Sequence, residues 1–322
     1  MRKLIVTTTI NHPTPAIRKF DSLPEWDLLV IADRKTPANY RLERGDVMFP
    51  GDYVDEYYDL IKLIGYDSVR LGRMIAFIEA HKRHADIVAS IDDDCMPDDN
   101  WGKDIRLGES IPVTICESDD ELCLDPLYCV NLNDYIWSRG FPIELLGSRV
   151  SKNERVSLIT PLVRVDFCRG QGDIDASCRI NPHHSILYYS ESFFPFSPKH
   201  FSPINTQNTF IHGSVLKDFY ANIPFIGRAD DIWAGYIFQS LHPNSTVYYP
   251  PSTKHVQDRS AQSIVNDLED EIFMYRNTYT FLKDLGWAVN CTNKSESIEM
   301  AIKTHLPVKA LQAIELYRSY FQ

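Results

Sequence analysis

An α/β fold with a mainly parallel central sheet flanked by helices is what this 322-residue sequence predicts. Three observations carry the prediction. Short apolar runs rich in β-branched residues occur at 3–10, 27–33 and 87–91, and each ends in polar or turn residues. Helical patterns lie between them, which implies β-α-β units and parallel strands. The third run stops abruptly in Asp92-Asp93-Asp94. That is the pattern of a buried strand delivering polar groups to the carboxyl edge of a sheet, where ligands bind in open α/β folds.

Between the first two strands, Thr14 to Phe20 suits a short helix with Thr14 as cap and Pro15 in the first turn. Residues 66–84 carry Leu71, Met74, Ile75 and Ile78 at helical spacing, with Arg70 and Arg73 near the start. The middle is less regular. Val113–Cys116, Ser157–Thr160 and Ile186–Tyr189 read as strands, and the Phe- and Pro-rich stretch 193–203 reads as an ordered loop. Thr246–Tyr249 reads as a further strand, 262–285 returns to an amphipathic helix, and the end of the chain reads as helical. No repeat or linker interrupts the pattern. The expected organisation is one catalytic domain over 1–285 with a helical C-terminal extension over 286–322.

A net charge of −11 argues against a general nucleic-acid binder. No stretch approaches the roughly 20 apolar residues that span a bilayer. The opening Met-Arg-Lys-Leu-Ile-Val-Thr-Thr-Thr-Ile resembles a first strand more than a signal peptide. Seven cysteines show neither CxxC nor Cys/His metal spacing, and the odd count does not suit a disulfide framework. The expectation is a cytoplasmic protein that can work peripherally at a membrane surface, its oligomeric state left open.

Five segments can carry chemistry. Three adjacent carboxylates repel one another unless something positive sits among them. A divalent cation with oxygen ligands, Mg²⁺ or Mn²⁺, fits, and such ions usually also hold substrate phosphates. If the segment stays extended, Asp92 and Asp94 share a side and Asp93 points away. Asp94 is then the direct metal contact, and Asp92 supports the metal or a ribose. The same three residues can also form a solvated acidic turn. In Ile226–Gly235, Asp230 or Asp231 can act as a general base and Trp233 can cover a sugar face, or the pair can simply open a helix. Arg139, beside Gly140 and between aromatics, suits a phosphate or planar group, or a surface turn. Asp173 and Asp175, with Arg179 four residues on, suit either a hydroxyl-rich ligand or a local salt bridge. His255 follows a strand, but a lone histidine is more often structural, and His183, His184 and His200 receive no role.

In their order, Ile91–Cys95, Ser138–Pro142 and Ile226–Gly235 resemble the plant reversibly glycosylated polypeptides, the UDP-arabinopyranose mutases. Ala32–Pro37 and Gly65–Arg70 look more like STELLO-type proteins, a related glycosyltransferase-like family. The resemblance covers roughly 3–285 and implies a GT-A fold, a Rossmann-like nucleotide-sugar domain whose acidic motif holds Mn²⁺ or Mg²⁺ on the donor diphosphate. It also implies His255 as a metal ligand beside Asp92 and Asp94. Thr7, Thr8, Thr9, Asp33 and Arg34 would lie at the nucleoside, Arg70 near the phosphates, and Asp92 and Asp93 at the nucleotide sugar. Arg139 falls where the mutases carry a glycosylated arginine, but Ile143-Glu-Leu-Leu follows here in place of polar residues.

Three functions follow. The first is a metal-dependent glycosyltransferase moving sugar from a nucleotide diphosphate sugar, UDP-linked, to a hydroxyl on a carbohydrate or lipid-linked acceptor. The second is a UDP-sugar pyranose/furanose mutase that depends on Arg139. The third is a non-catalytic nucleotide-sugar-binding protein, which has no chemical need for three adjacent carboxylates.

Overall fold

The computed structural model describes residues 1–66, 68–130, 135–149, 151–169, 173–180, 194–243, 246–250, 255–257 and 264–322. The first half runs β1 (Lys3–Thr9), α1 (Pro15–Asp21), β2 (Asp27–Ala32), β3 (Asp46–Met48), α2 (Pro50–Tyr53), α3 (Tyr58–Ile64), α4 (Val69–Lys82), β4 (Ile87–Ile91), β5 (Cys95–Pro97), β6 (Ile111–Ser118) and α5 (Pro126–Val130). The second half runs β7 (Ser151–Ile159), β8 (Val163–Val165), β9 (Cys168–Arg169), β10 (Phe196–Pro198), β11 (Asn208–His212), α6 (Asp230–Leu241), β12 (Val247–Tyr248), β13 (His255–Gln257), α7 (Ile264–Ala288), α8 (Lys294–His305) and α9 (Val308–Ser319).

A seven-stranded sheet in the order β12-β8-β11-β4-β1-β2-β3 forms the centre. Its neighbours pair in parallel except at β11, which runs antiparallel to both β4 and β8. The expected α/β architecture with a mainly parallel sheet is therefore the observed one. The chain builds outward from β1 to β3 and then places β4 on the other side of β1. This reversal opens a crevice beyond the carboxyl ends of β1 and β4. Because β11 is antiparallel, with Asn208 opposite Ile91, the residues just before it reach the same edge.

Alternation along β1 splits the core in two. Leu4 and Val6 pack with the cluster that holds α4, α6, α7, α8 and α9. Ile5 packs with Phe20, Trp26 and Trp101 on the opposite face. The α1 cap forms as read, with the Thr14 hydroxyl accepting the Ile17 amide at 3.1 Å. A Cβ at Gly72 would stand 2.6 Å from the Thr8 hydroxyl, so the start of α4 lies close against β1 and overhangs the crevice.

Several expectations change in detail. The 193–203 stretch contains the strand β10, which pairs in parallel with β6. Ile186–Tyr189 lies outside the described residues. A boundary at 285 falls inside α7, and Ile298, Ala301, Ile302, Ala313 and Tyr317 of α8 and α9 belong to the same core as the sheet. The C-terminal helices are helical as expected, but they complete the core rather than extend from it. Among the described residues, no helix is long and apolar enough to cross a membrane.

Candidate active site

The strand β4 ends at Ile91, and the acidic run turns instead of staying extended. The Cys95 amide points back to the Asp92 carbonyl at 3.4 Å. The extended geometry on which strict alternation depends is therefore absent, because the turn suspends the two-residue period. Ligand atoms of Asp92, Asp94 and Cys95 all lie within 4.8 Å of one another. Asp93 is tied to the end of β1. One of its oxygens accepts the Thr9 hydroxyl and, at 3.0 Å, the side-chain Nδ2 of Asn11.

Facing this turn is a cleft of about 360 Å³. The first turns of α4 supply two arginines one turn apart. Arg73 is buried and pairs with Asp92 while donating to the Thr206 carbonyl at 3.1 Å. Arg70 donates to Asp230 at 2.9 Å and to the Gly227 carbonyl at 2.8 Å. Asp230 and Asp231 open α6 on the far wall, so the helix-start reading of this pair is correct in structure. They also line the cleft.

Arg139 lies between the two carboxylate groups and is only 6 % exposed. It grips Asp173 through Nε and Nη2, both at 2.7 Å, and reaches Asp231 at 2.9 Å. Its remaining Nη1 donates to the Arg228 carbonyl. Asp231 also accepts the Thr206 amide at 3.0 Å. Among the described residues, six aspartates and four arginines line this cleft.

The shared arginine separates the two carboxyls it holds. Burial, reinforced by Asp230 and Asp173 and only partly offset by Arg139, pushes Asp231 up to about 6. Burial acts on Asp173 in the same direction, but Arg139, then Arg228 and Arg179, outweigh it and hold the group down at about 2. The native state therefore binds the Asp231 proton more tightly than the unfolded chain does. The stability this group contributes is full below the ordinary carboxylate value of about 4 and falls as pH rises to about 6. Asp173 has the opposite sign, its contribution being lost as pH drops from about 4 toward 2. In a series of urea midpoints, Asp231→Asn is expected to remove the decline between about pH 4 and 6. An unchanged slope would refute the assignment.

The other sequence candidates divide. Thr8 lines the cleft and donates to the Ile31 carbonyl at 2.9 Å, whereas Thr7 is buried and ties β1 to the Ile91 carbonyl at 2.9 Å. Asp33 caps its own turn by accepting the Lys35 amide at 2.8 Å, and Arg34 lies 4.7 Å over the Tyr66 ring. Both sit beyond the carboxyl end of β2. Two readings are corrected. Trp233 has no exposed surface and stacks on Phe281 at 4.0 Å, because position 233 faces the core and not the cleft. Asp175 is buried and accepts the Ser177 amide at 3.0 Å, a turn-holding role outside the cleft lining. For His255, β13 pairs antiparallel with β5 and sets His255 opposite Pro97, three positions beyond Asp94. The His255 side chain lies outside the described residues, as do His183 and His184. His200 contacts Glu117 at 3.2 Å, away from the cleft.

Sequence reading missed Thr206, Gln207, Asn222 and Asp270 as lining residues, and gave no site role to Arg73 or Arg228. Arg73, one turn after Arg70, carried a usable signal. Thr206 and Gln207 carried none, since only the antiparallel insertion of β11 brings them to this edge. A second cavity of about 310 Å³, near Phe201, Gln239 and Val289, contains none of the candidate residues.

No family model matches the chain. It is similar to two Arabidopsis thaliana proteins described as probable glycosyltransferases. It is 24% identical to STELLO2 over 309 residues, covering 89% of this chain and 40% of that protein. It is 23% identical to STELLO1 over 279 residues, covering 80% of this chain and 36% of that protein. The chain thus spans well under half the length of these relatives. A crystal structure of GalNAc-T7 with UDP, GalNAc and Mn²⁺ is a further neighbour, at 10% identity and a TM-score of 0.35, covering 95% of this chain and 58% of that one. The STELLO-type resemblance read from the sequence is borne out at the level of sequence similarity.

Proposed function

We propose that this distant relative of the STELLO-type proteins is a metal-dependent glycosyltransferase unit of GT-A type. It takes a UDP-linked sugar as donor and a hydroxyl of a carbohydrate or lipid-linked compound as acceptor. One observation carries the reading. The crevice where the strand order reverses gathers Asp92 and Asp93 of the acidic turn after β4, the arginines of α4 and the paired carboxylates of α6 into one cleft, with Asp94 next along the turn. The description of both relatives as probable glycosyltransferases supports it.

The cleft has more carboxylates than arginines. A diphosphate would add negative charge, so it needs a cation with it. Asp92 and Asp94 offer hard oxygen donors close enough to share one ion, and two carboxylates plus substrate phosphates are an ordinary set for Mg²⁺. The residues fit. Cys95 is buried, and its soft thiol is not what such an ion prefers. When bound, the ion would neutralise the charge that develops on the leaving diphosphate. Arg70 and Arg73 add positive charge on the same wall. Asp231, with its raised pKa, suits removal of a proton from the acceptor near neutral pH, and Asp230 beside it suits the donor hydroxyls.

The mutase reading asks Arg139 to manage a transient sugar. Every nitrogen of that guanidinium already donates to Asp173, Asp231 or the Arg228 carbonyl, which weighs against it. An NMR time course of the protein with Mg²⁺ and a panel of UDP-sugars, without acceptor, tests both. Slow Mg²⁺-dependent release of UDP is the expected result. A new UDP-sugar would establish the mutase instead. The absence of both turnover and metal-dependent UDP binding by calorimetry would sink the enzyme reading.

A further inference from the structure

The polar network of the cleft continues behind its wall into α7. Asp267, Glu271 and Tyr275 stand four residues apart on that helix and share one face. None of them is a lining residue of the cleft. Glu271 has no exposed surface, an unfavourable place for a carboxylate unless its bonds are well made. One of its oxygens accepts Arg228 Nε at 2.9 Å. The other accepts the Ala176 amide at 3.0 Å and the Tyr275 hydroxyl at 2.7 Å. Asp267 accepts Arg228 Nη1 at 3.1 Å.

Arg228 is the connection to the cleft. Its Nη2 lies 3.6 Å from Asp173, and its carbonyl accepts an Arg139 N–H. Arg139 in turn holds Asp231. The backbone reinforces the side chains. Gly227 has φ +60°, and a Cβ there would stand 2.2 Å from the Asp270 carbonyl, so α7 lies flush against the turn that leads into Asp230 and Asp231.

We propose that the Asp267, Glu271 and Tyr275 stripe of α7 positions Arg228 and, through it, the Arg139–Asp231 pair of the transfer site. This rests on reading the cleft as a sugar-transfer site. The three are positioning residues, acting on the orientation of Asp231 rather than on a substrate. The distinction from ordinary helix packing is that their loss alters the turnover step and not merely the melting temperature.

The test uses the full chain and the variants Glu271→Gln, Glu271→Asp, Tyr275→Phe and Met274→Ala. Met274 is an apolar core residue of the same helix, so its truncation reports lost packing alone. Release of UDP from a UDP-sugar with Mg²⁺ is followed at steady state. Glu271→Gln is expected to lower kcat about tenfold or more, because a small misplacement of a reacting group costs that much. Donor KM stays within about twofold, since donor binding is not the function lost. Tyr275→Phe falls between, and Glu271→Asp recovers part of kcat. Met274→Ala keeps kcat at a comparable fall in Tm. Equal kcat in Glu271→Gln and Met274→Ala would overturn the proposal. If the unaltered protein releases no UDP, the Arg139 Nε–H resonance decides positioning, and the transfer reading itself fails only where metal-dependent UDP binding is absent too. A shifted or broadened signal in Glu271→Gln but not in Met274→Ala upholds it, and an unchanged signal in both overturns it.

Discussion

Arg139→Met is expected to lower the free energy of unfolding by about 3–5 kcal/mol, the cost of leaving buried charge without its partner. The guanidinium is enclosed and binds Asp173 in a two-pronged grip while also reaching Asp231. Its removal leaves two buried carboxylates close together, with Arg228, 3.6 Å from Asp173, and the more distant charge of Arg179 as remaining compensation. Arg139→Lys does not rescue the protein, because an ammonium cannot reproduce the planar fork. The double variant Arg139→Met/Asp231→Asn is the informative partner. With one repelling charge deleted, it should be more stable than Arg139→Met alone, so the two substitutions are strongly non-additive. Urea unfolding of the four proteins closes the cycle. A loss of under about 1 kcal/mol for Arg139→Met would place the residue among ordinary exposed ion pairs and refute its burial. Turnover should vanish in Arg139→Met whichever sugar is used, because Asp231 loses the group that orients it.

How much of this was legible follows from where each signal resides. The strands β1, β2 and β4 are continuous apolar runs and the helix α4 an apolar helical period, so local pattern alone identifies them. The acidic turn and the Asp230–Asp231 pair were legible because clustered like charges stand out in any context. The pairing of Arg139 with Asp173 and Asp231 was not, since it joins positions 34 and 92 residues apart. Trp233 shows how a correct segment can give a wrong role. Its neighbours face the cleft, but a helix turns about 100° per residue, and two positions after Asp231 the side chain points into the core. The strands β5 and β8 have too few residues to show a pattern, and β11, Asn-Thr-Phe-Ile-His, is too polar to stand out as an apolar run. Their existence is set by the partner strands they find.

Asp94→Asn is expected to weaken divalent-metal binding and lower Mg²⁺-dependent turnover by about 10²–10³-fold, the scale of losing a preorganised electrostatic group, while leaving the unfolding midpoint in place. The contrast with its neighbour gives the prediction its force. Asp92 pairs with buried Arg73, which also holds the Thr206 carbonyl and Ser90, so Asp92→Asn removes a structural ion pair as well as a proposed metal ligand. That variant should lose both activity and stability. Asp94 is half-buried, and its carboxylate accepts the Cys95 thiol at 3.5 Å. Deleting its charge relieves repulsion within the acidic turn when no metal is present. Calorimetric titration with Mn²⁺ and thermal melts of the two variants separate the effects. Equal metal affinity in Asp94→Asn and the unaltered protein would remove the acidic turn from the mechanism. A fall in Tm as large as that of Asp92→Asn would show instead that the turn's charges serve the fold.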